Sequence, residues 1–150
     1  MDEQGKLSAL SLFLRTYAVL SFVIFVPLCL AIMLQSPLFD DGGPMNWSIW
    51  NGVACGGQPC YVPPMLFIIY LVWAVFLWQA AKDPHEHISF LNFTAWANLA
   101  HGLLMTFRAM TNIGLFWSKF LTDIPFVTIL ALGIFILHPN RNREAANIAA

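Results

Sequence analysis

Four long apolar stretches alternate with short polar ones along this chain. The first runs from about Leu12 to Leu34, with nineteen uncharged residues from Thr16 onward. The second, about Pro63 to Ala81, opens on two prolines, which suit a helix start because the first N–H groups of a helix have no partner anyway. The third is about Ile88 to Met110, and the twenty residues from Ile88 to Phe107 include no Asp, Glu, Lys or Arg. The fourth, about Phe120 to Leu137, is closed by His138-Pro139-Asn140, and its fully uncharged part from Ile124 is fourteen residues long. Roughly twenty apolar residues cross a bilayer core. The pattern predicts an all-α fold: an integral membrane four-helix bundle, one domain over residues 1–150. Pro27 removes a backbone hydrogen bond inside the first helix and is expected to kink it.

The connections order these helices. Residues 81–87 (AKDPHEH) form a short polar turn, so spans two and three make an antiparallel hairpin. Residues 111–119 are a second short connection, and the long one is residues 35–62. Basic residues set the orientation. Lys6, Arg15, Lys82, Arg141 and Arg143 fall on one side of a four-span arrangement, Arg108 and Lys119 on the other. Five against two places both termini in the cytoplasm and the long first loop outside; the inverted topology is the alternative. Lys6 and Arg15 before an apolar run also suit a signal peptide. The run is longer than a usual signal core and no small-residue cleavage pattern lies near Leu34, so an uncleaved span is expected. A faint echo between residues 67–76 and 126–135 suits a repeated helical hairpin, or chance likeness between apolar helices.

The third stretch carries a polar line. Thr94, Asn98, His101, Met105, Arg108 and Asn112 recur at spacings of 4, 3, 4, 3 and 4. At about 100° per residue they lie within roughly 40° of one line down a helix. Lipid offers polar groups no partners, so this line is expected to face protein or a bound group. His101, near mid-span, has three uses open to it: hydrogen bond to a neighbouring helix, proton or substrate path, or single axial ligand of a haem or chlorophyll-type pigment. Arg108 and Asp123 are expected at similar depth near the outer interface and are read as an ion pair, with Arg108 snorkelling to lipid phosphates as the alternative. Asn92 points almost opposite to His101, so the helix is expected to be contacted on two sides. Thr94, Asn98 and Gly102 permit close helix approach.

The outer loop holds Cys55 and Cys60 in a Cys-Gly-Gly-Gln-Pro-Cys turn, expected to form a disulfide on the oxidising side, with two free thiols as the alternative. Trp47 and Trp50 are expected to anchor that loop at the membrane boundary, or on a partner subunit. Cys29 lies inside span one and is expected to pack. Asp83 and His85, with Glu86 or His87 as third ligand, form a tempting metal trio for zinc or copper, but residues 85 and 87 face different ways in most turns, so a helix cap and solvated loop is the plainer reading.

Composition agrees with this picture. Of 150 residues, 59% are hydrophobic, 15% aromatic and 10% charged, with formal net charge −1. This fits a membrane protein and leaves no basic surface for nucleic acid. There is no Gly-rich phosphate loop.

Ala80-Ala81-Lys82-Asp83-Pro84, followed by Phe93 to Met105 (FTAWANLAHGLLM), resembles a family of uncharacterised small four-span bacterial membrane proteins. The likeness covers spans two and three. It implies a four-helix bacterial inner-membrane protein, and because the family carries no established activity it leaves function open. The expected role is a non-catalytic accessory or assembly subunit of a larger membrane complex, with a respiratory or photosynthetic host as one case. Its partners are then the lipid bilayer and other membrane subunits, and the sequence requires no cofactor. The alternatives are a cofactor-binding protein with His101 as ligand and a small oligomeric transporter or channel.

Overall fold

A computed structural model describes residues 3–34, 62–111 and 113–139. Cys55, Cys60, Trp47, Trp50 and Asn112 therefore lie outside the described residues. The described chain is all helical: α1 (Glu3–Met33), α2 (Val62–Ala80), α3 (Ile88–Thr111), the single turn α4 (Ile113–Phe116), a 3-10 turn (Trp117–Phe120) and α5 (Asp123–Leu137).

Local chemistry sets these boundaries. Helix α2 stops before Pro84, which cannot continue it, and the tightening bond from Lys82 N–H to Gln79 C=O closes its last turn. The Asp83 carboxylate then accepts the backbone N–H groups of His85 and Glu86 at 3.1 and 3.4 Å, fixing the turn into α3. Helix α5 starts at Asp123, an acidic residue suited to the positive end of the helix dipole. Its Pro125 sits in the first turn, where a missing N–H costs no helical bond. The helix ends ahead of His138-Pro139, where the residue before proline is biased to extended backbone.

Helix α1 begins at Glu3, nine positions before the expected start at Leu12. A hydropathy reading cuts at charged Lys6, but Leu10 and Leu14 are fully buried, and this packing carries the helix outward past the charge. Pro27 lies inside α1 without ending it. Conversely, the fourth long helix begins at Asp123, three positions after the expected start at Phe120, and residues 117–120 form a 3-10 turn ahead of it.

The four long helices alternate in direction around a square. The Ser11 hydroxyl donates to the Ala81 carbonyl, setting the register of α1 against α2. Trp73 bonds Thr94 across α2 and α3. Gly102 lies against Thr128 across α3 and α5, and Phe13 of α1 occupies the space beside Gly133 of α5. All four contribute to one core, with Leu10 and Leu14, Leu77, Leu91, and Leu130 and Ile134 buried together. That core sits at the end of the bundle nearest the 81–87 turn. Toward the opposite end it gives way to rings: Phe25 stacks on Phe67 and Tyr70 and meets Phe126 edge-on.

The outside is apolar as well. Val23, Met65, Trp96, Leu103, Phe107 and Ile136 are each more than 60% exposed, and every long helix contributes to this surface. Two stretches, Glu3–Ala31 and Trp117–Leu137, are long and apolar enough to cross a membrane. Met65–Ala80 is apolar but shorter. Helix α3 has the length, at 24 residues, but its polar line lowers its hydropathy.

Candidate functional site

The polar line of α3 does not face the closest helix. At about 100° per residue, the buried positions Leu91, Thr94, Ala95, Asn98, Gly102 and Ala109 centre roughly 55° round the helix from the middle of the Thr94–Arg108 line. The middle of the contact face is small: Ala95, Gly102 and Ala109 let α5 approach. A methyl group added at Gly102 would lie 2.7 Å from Thr128 Oγ1 and 3.2 Å from a Val127 methyl. The polar residues flank this seam on the side facing α2.

Two of them reach across to α2. Thr94 is fully buried, and the Trp73 indole N–H donates to its hydroxyl at 3.0 Å. Asn98, 4% exposed, turns its amide back to the Thr94 carbonyl at 2.8 Å, so its polarity is partly absorbed by its own helix. One to two turns on, His101 Nδ1 lies 3.2 Å from the Tyr70 hydroxyl. The proton between them belongs to either group according to the imidazole tautomer: the phenol donates to a bare Nδ1, or Nδ1–H donates to the phenol oxygen. Among the described residues no hydrogen bond reaches the other ring nitrogen. The Tyr70 ring is held between Phe25, at 5.1 Å and 18°, and Trp73, at 6.2 Å and 10°. Its direction, and with it that of the imidazole, is fixed by stacking.

The line loses this character further along. Met105 is half-buried and Arg108 is exposed. Asp123 has Lys119 as its ion partner, at 3.3 Å and one turn away. A carboxylate four residues on is within reach without crossing helices, whereas Arg108 belongs to a different helix. Lys119 also lies 5.9 Å from the Phe116 ring. Cys29 is buried within α1. In the 81–87 turn, Asp83 is engaged with backbone N–H groups, and among the described residues no group of three or more His, Cys, Asp or Glu side chains is placed to hold a metal.

Tyr70 and Trp73 are the residues that sequence reasoning passed over. Both carry one polar atom on an otherwise apolar helix, three positions apart and so on one face. That pairing was the available signal, because a buried phenol or indole needs a partner.

No curated protein and no solved structure matches the chain. A family match takes in the entire 80–105 hairpin and extends far to either side of it. With residues 14–147 matched, the chain belongs to DUF6632, a family of unknown function.

Proposed function

We propose that this protein crosses the bacterial inner membrane four times, with both termini in the cytoplasm, and serves as an accessory or assembly subunit of a larger membrane complex. The observation that supports this best is the outward face of α3. At its edges Phe93 meets the Trp73 ring of α2 at 6.1 Å and Trp96 meets the Phe135 ring of α5 at 5.1 Å, and between them the face turns away from the bundle. Phe93, Trp96, Leu103, Leu104, Phe107 and Met110 are each more than 60% exposed there. Hydrocarbon satisfies the rings but not the exposed Asn92 amide, which favours a protein neighbour over lipid alone. Aromatic residues with little rotamer entropy suit such docking. The tagged protein, extracted in mild detergent, is expected to run as an assembly of fixed stoichiometry. Leu103→Ala with Phe107→Ala, two exposed side chains of that face, releases it as a monomer of unchanged helicity. A wild-type protein that runs only as a free monomer contradicts the proposal.

A second reading has its own support in the Tyr70–His101 bond. Ligand histidines are commonly oriented through their other ring nitrogen, and here Nδ1 is the engaged one. In the Nδ1–H tautomer, Nε2 offers a lone pair to a tetrapyrrole metal. The visible spectrum of the purified membrane protein decides this: a Soret-type band lost in His101→Ala supports it, and a colourless protein without bound metal ends it.

A further inference from the structure

We infer that Arg15, Trp78 and Lys82 form a binding site for the phosphate of an anionic phospholipid, on the outer face shared by α1 and the end of α2. This inference rests on the four-span reading above. The Arg15 guanidinium lies 5.9 Å from the centre of the Trp78 ring, on the neighbouring helix. Both residues are exposed, Trp78 to 43%, so the pair sits on the outside of the bundle and not in its core.

Depth comes from the register. The Ser11–Ala81 hydrogen bond brings residue 11 level with the start of the polar 81–87 turn. Arg15 is one helical turn inward from Ser11, and Trp78 three residues inward from Ala81. At about 1.5 Å per residue both lie roughly 5 Å inside the polar boundary of the bundle. Tryptophan collects at that level of a membrane. A bare guanidinium there is costly unless its N–H groups reach an anion.

Among the described residues neither Arg15 nor Lys82 is in an ion pair. A guanidinium held over a ring keeps its in-plane N–H groups free for a forked bond to phosphate oxygens. Lys82 is exposed and follows Trp78 by four residues, about one helical turn toward the headgroups. A second ammonium at headgroup height adds charge attraction and selects an anionic lipid over a zwitterionic one. This end of the bundle is the one assigned to the cytoplasm, whose leaflet carries anionic lipid. The ring contact between two helices, with a second exposed cation about one turn further on, distinguishes the site from a lone snorkelling arginine.

The test uses the full chain in nanodiscs of phosphatidylcholine with and without phosphatidylglycerol. Release into the gas phase for native mass spectrometry counts the lipids retained. The wild type is expected to keep phosphatidylglycerol preferentially. Arg15→Gln and Lys82→Gln each lower that retention about five-fold, the factor expected for one basic residue near an anionic surface, and Arg15→Lys restores part of it. Trp78→Leu is expected to lower it as well. Equal retention in wild type and Arg15→Gln overturns the site. So does equal competition by inorganic phosphate, which would make the ligand a free anion and not a lipid. Carbonate extraction of each variant separates the two levels of the argument. Protein released by carbonate defeats the four-span reading itself, whereas protein that stays in the membrane with unaltered lipid retention defeats only this site.

Discussion

The α3–α5 seam is made by taking side chains away, and the α2–α3 seam by joining them. Across the first, Gly102 admits Thr128 and Val127 to a distance that a methyl group would obstruct; the neighbouring α1–α5 contact is made the same way, with Phe13 in the space beside Gly133. Across the second, Trp73 bonds Thr94 and Tyr70 bonds His101. In the proposed membrane setting apolar surface gives no net reason for helices to associate, so close approach and hydrogen bonds are the two devices available. This bundle uses them on separate faces of one helix. The chemistry-bearing residues sit on the bonded seam, where the backbones need not touch.

Substitutions that fill the close-packed contacts of α5, with α3 at Gly102 and with α1 at Gly133, should do the most damage. Gly133→Leu drives a side chain into the Phe13 ring, and Gly102→Leu does the same to Thr128. Each is expected to cost about 3 kcal/mol, the upper part of the range for overpacking. Unfolding in mixed micelles, followed by circular dichroism, measures this. Phe13→Ala should recover part of the Gly133→Leu loss, because it empties the contested space. A Gly133→Leu protein as stable as wild type would mean that α1 and α5 are not in close contact.

The bonded seam should yield less. Tyr70→Phe and His101→Ala are each expected to cost on the order of 1 kcal/mol, and their coupling in a double-mutant cycle about 0.6 kcal/mol, as for other interhelical bonds in membranes. A coupling near zero would mean that the two groups are neighbours without being bonded. Trp73→Phe with Thr94→Val gives a second cycle on the same seam, and similar values in both would mark it as one cooperative surface.

The smallest effect lies outside both seams. Lys119→Gln removes the ion pair to Asp123, which is partly exposed and formed within one turn. About 0.3–0.5 kcal/mol is expected, and half-molar salt should erase most of it. A larger loss would give this end of α5 a share in the packing that its exposure does not suggest.

Much of the architecture was legible because lipid-crossing and core-forming helices share one signal, a long apolar run. The hairpin at residues 81–87 was readable from Asp83-Pro84 alone, since those residues cap and stop helices by local chemistry. Helix ends were less readable: burial of Leu10 extends α1 beyond the charge at Lys6, and no local signal reports that. The polar line on α3 was visible from its spacing, but its neighbour was not. Periodicity finds one face of one helix, and the face that meets α5 is marked by small residues, not by polar ones. Tyr70 could be matched to His101 only after the register of α2 against α3 was known. Asp123 illustrates the same limit. Equal depth suggested Arg108 as partner, while the four-residue spacing to Lys119 was the shorter path.

The proposed four-span arrangement can be tested at its two ends directly. In a background without the native cysteines, Glu86→Cys places a thiol in the turn between α2 and α3, and Leu121→Cys places one just before α5. A membrane-impermeant maleimide applied to sealed right-side-out and inside-out vesicles reports the side of each. The account predicts labelling of position 86 only from the cytoplasmic face and of position 121 only from the opposite face. Labelling of both positions from one face would contradict it.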